Sequence, residues 1–273
     1  MKVFFSAGGE GAVVPFHVVF HADYLPGDYA PDPAAEPGRL DAIHAEIEKR
    51  EAEGRWVVVE PGLASEEDVL RAHARRHVSQ IKRDDVLYRA AMLAAGGAIA
   101  AADLAWDGKP AFAAVRPPGH HASRDHCWGF CYFNNLGVAL LHLQATKGAS
   151  SAFLLDFDLH FGDGNVDVLG GRREIDVEIF NPDGRSEDEY LEAVESELAK
   201  AGRVDVVAAS AGFDQGIRDW GRLLGERAYE RLGRLLRDYA EDRADGRRFA
   251  VLEGGYYAPD LGKHLAAFCD GFE

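Results

Sequence analysis

Asp156, Asp158 and His160 fall at alternate positions straight after the apolar run 151–155, where the chain reads DFDLHFGDGN from 156 to 165. Side chains two apart on an extended backbone point to the same side, so a strand leaving the core here presents two carboxylates and an imidazole together. Asp158 and His160 are metal-ligand types. Asp219, reached through the loop after Asp214, can supply a third ligand while leaving the ion an open side. Three protein ligands plus water describe a catalytic divalent centre, and a carboxylate-rich set accepts zinc or ferrous iron. Taken singly, the two aspartates would be helix caps and the histidine a hydrogen-bonded core residue; taken together they read as a ligand set.

Proton-transfer groups accompany them. His120 and His121 stand side by side in RPPGHHA after the apolar run 111–115. Adjacency suits them poorly to sharing one ion but well to moving protons beside it. Asp156 and Asp163, not used as ligands, are available to fix their tautomers. Tyr256 follows Gly254-Gly255 in EGGYY, on a flexible turn from which a phenol can hydrogen-bond a developing oxyanion.

These groups must be carried by strands. Apolar runs at 16–20, 111–115, 151–155, 204–209 and 249–252 have strand length, with 175–180 a thinner candidate. Helical spacing predicts helices over 39–52, 65–82, 85–106, 134–147, 187–201 and 226–242. The third is small and apolar nearly all round, and Gly96-Gly97 within it point to close packing. Strand and helix alternate, and the one candidate linker is the Pro-, Asp- and Ala-rich stretch 26–38. The pattern predicts an α/β fold, a doubly wound, mostly parallel central sheet flanked by helices, as a single domain over 1–273. Sheets of this kind place their sites at strand carboxyl ends, where all four polar clusters, including SAGFDQGIRD at 210–219, begin.

The 273 residues are 47% hydrophobic and carry a formal net charge of −16. With no cationic surplus to displace counterions, nucleic acid is not an expected partner, whereas a cationic substrate is compatible. The cysteines Cys127, Cys131 and Cys269 lack paired metal-knuckle spacing and suit a reducing cytoplasm, with Cys127 and Cys131 read as packing residues. The opening MKVFFSA is too short for a signal-peptide core, and no segment is expected to span a membrane.

Assembled in this order, RPPGHHA, GFCYFNN, DFDLHFGDGN, SAGFD and EGGY resemble the histone deacetylase family in its broad sense, including acetylpolyamine amidohydrolases and acetoin-utilisation proteins, from about residue 16 to the C-terminus. The resemblance implies an arginase-like fold and a zinc ion bound by Asp158, His160 and Asp219. It implies His120 and His121 as general base and acid paired with Asp156 and Asp163, and Tyr256 as the group polarising an amide carbonyl. Gly129 and Phe130 look like the lip of an acyl-lysine channel, and many relatives hold a potassium ion on main-chain oxygens around 156–160.

Three departures from the family pattern stand out. Phe161 replaces a second histidine, Trp220 replaces a frequent proline, and the 161–209 region is short and lacks the loop that builds part of the channel wall. The short chain leaves no room for the insertions that narrow polyamine enzymes, which favours an open, general deacylase. The expected activity is removal of acetyl or another small acyl group from an acyl-lysine or acylpolyamine. Two alternatives are a non-catalytic acyl- or metabolite-binding protein on the same fold and a binuclear ureohydrolase of the arginase type, for which Asp214 with Asp219 offers too few bridging carboxylates.

Overall fold

Short runs of Val, Phe, Leu and Ala are satisfied by a sheet covered on both faces, and two runs that stay partly exposed take its edges. They form Phe16–Val19 (β1), Trp56–Val59 (β2), Ala111–Ala113 (β3), Ser151–Asp156 (β4), Asp176–Phe180 (β5), Val206–Ala211 (β6) and Arg248–Leu252 (β7). In this computed structural model, which describes residues 15–273, they pair in the order β2-β1-β3-β7-β6-β4-β5. Every pairing is parallel. The reading of the N-terminus as lacking a signal peptide rests on residues 1–14 and lies outside the described residues.

Nine α-helices flank the sheet among the described residues: Asp41–Ala52 (α1), Glu66–Ala72 (α2), Arg75–Ile81 (α3), Asp85–Trp106 (α4), Asn135–Lys147 (α5), Asp163–Leu169 (α6), Glu187–Lys200 (α7), Glu226–Arg243 (α8) and Ala258–Phe272 (α9). The expected α/β class is therefore the observed one, with the sheet wholly parallel. α4 is the 22-residue core helix, started by the Asp84 carboxylate accepting from the Val86 and Leu87 amides. Its Gly96-Gly97 pair is packed as expected: a methyl on Gly96 would lie 2.0 Å from the Gly62 carbonyl oxygen, and one on Gly97 2.4 Å from Val115.

Several expectations are corrected. α4 is long and apolar enough to cross a membrane, contrary to the reading that no segment is, yet 56% of its most apolar stretch is buried within this fold. The single helix expected over 65–82 is two, because His73 and Ala74 are drawn out of helical geometry. The His73 ring bonds the Ser123 carbonyl and the Asn134 amide, and the Ala74 amide donates to Arg124. The strand β2 was not foreseen, nor was α9. The stretch 26–38 is no linker: Tyr29, Ala34 and Ala35 are buried, and Asp32 caps a short turn at Pro33–Ala35.

The order of strands carries the functional point. β3, β7, β6 and β4 are consecutive neighbours at the centre of the sheet. Those are the strands whose carboxyl ends lead into the histidine pair, the tyrosine turn, the Asp214–Asp219 loop and the Asp-Asp-His run. Four distant stretches of chain thus open onto one rim.

Candidate active site

β4 ends at the fully buried Asp156, and Asp158 and His160 follow in a bend rather than on the extended backbone that strand alternation predicts; the Asp156 and Asp158 carboxylates accept the amides of Asp158 and His160. His160 Nδ1 lies 3.2 Å from Asp158 Oδ1 and 3.1 Å from Asp214 Oδ2. Asp158, His160 and Asp214 form a group whose ligand atoms all lie within 4.8 Å of one another. Asp158 Oδ2 accepts the Gly254 amide and Asp214 Oδ1 the Leu159 amide, whereas the buried Asp214 Oδ2 has no donor in line.

The electrostatics of the group favour a cation. The adjoining Asp158 and Asp214 carboxylates hold the His160 imidazole up at about 10. Burial opposes ionisation of Asp158, but His120 and His160 outweigh it and keep its carboxyl below the usual range. Asp214 is pushed up to about 7 by burial and by the Asp158 charge. Two buried carboxylates, one of them with an orphaned oxygen, and an imidazole make a donor set that fits a divalent ion.

Asp219 stands apart from that trio. Its Oδ2 accepts the amides of Tyr256 and Tyr257, each at 2.7 Å, and its Oδ1 accepts the Trp220 amide at 2.8 Å. Of the three residues read as ligands, the structure groups Asp158 and His160 and puts Asp214 with them. Asp219 is a buried carboxylate fixed beside the tyrosine turn by three backbone donors.

The histidines pair as expected. His120 Nδ1 lies 3.3 Å from Asp156 Oδ2, and His121 Nδ1 lies 2.6 Å from Asp163 Oδ1. Asp156 is held in turn by the Asn165 side-chain amide at 2.9 Å, and Asn165 by Asn134. The two rings nevertheless differ. Burial works against charge on His120, but Asp158 and Asp156 outweigh it and hold that imidazole well above its ordinary value. Burial and the charge on His120 push His121 down to about 4. One ring is kept charged and its neighbour neutral, the division that an acid and base pair requires.

A cavity of about 300 Å³ is lined by His120, His121, Trp128, Gly129, Phe130, His160, Trp220 and Tyr256. Gly129 and Phe130 both have positive φ, +58° and +65°, and the Cys131 amide closes the turn on the Trp128 carbonyl at 3.0 Å. Phe130 sets its ring edge against Tyr256, and Trp220 stacks on Tyr256 with centroids 4.1 Å apart. Burial keeps the phenol of Tyr256 above its ordinary range, so it remains a hydrogen-bond donor. Beyond His160, the short region after β5 leaves a second, polar cleft of about 450 Å³, walled by Asn181, Asp183, Arg185 and Gln215.

Residues not foreseen complete the site. Glu253 accepts the amides of Gly119 (2.6 Å) and His120 (3.1 Å), fixing the backbone under the histidine pair. Burial pushes its carboxyl up to about 7 despite His120 nearby. Arg39 donates from Nε to the Gly255 carbonyl and from Nη2 to that of Glu253, with its guanidinium 5.2 Å over the Tyr256 ring. Cys131, buried as read, lies near His120 and Glu253. Glu253 was visible within EGGYY; nothing local marks Arg39.

Comparison with known proteins agrees with this architecture. The family model for the histone deacetylase domain matches residues 33–177. A probable deacetylase of Archaeoglobus fulgidus is 29% identical, covering 88% of this chain and 80% of its own length. An acetylpolyamine amidohydrolase of Burkholderia pseudomallei is 30% identical, covering 74% and 68%. In fold, the crystal structure of the HDA15 HD domain superposes with a TM-score of 0.82 at 24% identity, covering 95% of this chain and 90% of that one.

Proposed function

The chain belongs to the histone deacetylase family, and from that premise we propose that it is a metal-dependent amidohydrolase removing acetyl or another small acyl group from an amine. The observation that carries the reading is the convergence on one cavity of about 300 Å³ of His120, His121, His160 and Tyr256. Each of the first two is backed by its own aspartate.

We assign the ion to Asp158, His160 and Asp219. The three amides on Asp219 hold that carboxylate as the outer hydrogen bonds of ligating carboxylates do. Asp214 shares the pocket with the first two and ties down the Leu159 amide between them. Zinc or ferrous iron bound there would supply Lewis acidity and make water acidic enough to deprotonate near neutral pH.

The protein's own groups then divide the work. His121, neutral and backed by Asp163, accepts the proton of the attacking water. Tyr256, protonated and wedged between Phe130 and Trp220, donates to the carbonyl oxygen as negative charge develops on it. The histidine pair returns a proton to the departing amine. Gly129 and Phe130 form the lip along which the alkyl chain of the amine lies. Main-chain oxygens around 156–160 are the place for a potassium ion of the kind found in many relatives.

Substrates in this proposal are acyl-lysine side chains or acylated polyamines. A relative named acetylpolyamine amidohydrolase and the −16 net charge support the second, and the open polar cleft supports a broader range. Three free cysteines suit a reducing, cytoplasmic setting. The test is turnover of acetyl-lysine peptides, acetylpolyamines and longer acyl amides by the purified protein, with and without a chelator. Absence of hydrolysis across that panel after loading with zinc or ferrous iron would favour a binding protein instead.

A further inference from the structure

Trp128 is half exposed, yet its indole packs over a residue of the site, 3.9 Å between centroids and tilted 33° from the plane of His121. Its Nε1 donates to Asp163 Oδ2 at 2.8 Å, while the other oxygen of that carboxylate holds His121 Nδ1 at 2.6 Å. The indole, the carboxylate and the imidazole therefore close a ring of contacts. Resting on the functional reading above, we propose that Trp128 is a positioning residue for His121, fixing the Asp163 carboxylate and the imidazole plane at once.

The need for such a residue follows from exposure. The Asp163 side chain is 40% exposed, against 3% for His121. A carboxylate with one oxygen in water has several hydration partners of similar energy, and its rotation would turn the imidazole with it. The indole N–H ties that free oxygen, and the indole face keeps water off the ring. Tethering at two atoms selects one tautomer and one orientation, which is how outer hydrogen bonds commonly act on a working histidine.

The backbone aims the indole. Trp128 and Cys131 are the ends of a turn whose two central residues have positive φ, the requirement of the tight mirror-image turns. A methyl group on Gly129 would lie 2.4 Å from His121 Cδ2, so the turn rests directly on the imidazole. Nothing about packing alone calls for an indole at this place, because half of it faces solvent. A donor at the far end of a flat ring meets both contacts, and among natural side chains of that size tryptophan has both.

The experiment uses Trp128→Phe, which keeps a ring over His121 and removes the donor, and Trp128→Leu, which removes both. Outer-shell losses of this kind cost about 10- to 100-fold, so kcat should fall about tenfold in the Phe variant and further in the Leu variant, with KM within about twofold. In an Asp163→Asn background the Trp128→Phe change should have little further effect, within about twofold, because both act through one carboxylate. An unchanged kcat, a rise in KM alone, or losses that multiply in the double variant would overturn the proposal. A second readout needs no turnover: the hydrogen-bonded Nδ1 proton of His121 should give a downfield NMR signal in the parent that exchanges away in Trp128→Phe. Persistence of that signal sinks the positioning role, whereas a parent protein that hydrolyses nothing sinks the functional reading and leaves this comparison standing.

Discussion

Gly129→Ala should separate geometry at the site from stability of the fold. The added methyl would be 2.4 Å from His121 Cδ2, where carbon atoms prefer about 3.5 to 4.0 Å, so the ring must recede by about 1 Å. A displacement of that size at a working group costs roughly 100-fold in rate, or about 2.7 kcal/mol at about 1.36 kcal/mol per tenfold. The backbone also pays, since Gly129 has φ +58° and a non-glycine residue there costs roughly 1–2 kcal/mol. A loss of that size leaves a domain of about 5–15 kcal/mol stability folded. Gly148 is the control: it caps α5 with φ +77° and has nothing within 4 Å of an added methyl. Gly148→Ala should show the backbone cost alone, with turnover unchanged. The assay is kcat on an acetyl-lysine peptide together with the urea midpoint of each variant. If Gly129→Ala keeps kcat within about threefold of the parent while its midpoint falls like that of Gly148→Ala, the reasoning about His121 placement is refuted.

Tyr256→Phe should lower kcat by about two to three orders of magnitude with metal content unchanged, measured by elemental analysis beside the rate; equal rates would remove the phenol from the chemistry. Asp219→Ala should shed the ion on dialysis while Asp214→Ala retains it, and the reverse result would make Asp214 the third ligand. Arg39→Met strips the donors from two buried carbonyls, so the urea midpoint should report a loss of roughly 2–4 kcal/mol, and a loss near zero would mean that water replaces the guanidinium. His73 links stability to pH: burial, and then His77, hold it down to about 3. The unfolded chain therefore takes up a proton near pH 6.5 that the folded chain refuses, and stability falls as pH drops from about 6.5 towards 3, by on the order of 4 kcal/mol in all. The parent should lose about 2 kcal/mol more than His73→Gln between pH 6.5 and 5 in urea unfolding; parallel losses would contradict the assignment.

Where function and local pattern coincide, the chain was readable. The runs that became β3, β4, β6 and β7 each end in a polar cluster, and a parallel sheet turns that coincidence into a site. The pairing of His120 and His121 with Asp156 and Asp163 came instead from the family resemblance, since spacing showed only that the two aspartates were at hand. β2 was missed because WVVV is a short edge strand with partly exposed residues, too brief to outweigh the turns around it. The break at His73 was invisible because its cause is tertiary: its ring partners are Ser123 and Asn134, 50 and 61 residues away. α9 starts immediately after the tyrosine turn, and its Gly262 and Gly271 dilute the helical pattern for a reason that only packing reveals. Methyl groups there would strike the Ala42 and Glu230 carbonyls of α1 and α8. Arg39 reaches Glu253 across 214 residues, a distance over which no local spacing carries information.

The place of β7 also governs the order of assembly. It is the final strand in the chain, yet it lies between β3 and β6. Until Arg248–Leu252 has been synthesised, two growing half-sheets expose unpaired parallel edges, and the halves bearing His120 and Asp158 have no strand between them to set their separation. The residues carried by the two halves can therefore be set at their final separation only after this five-residue segment has been made and has paired with both neighbours.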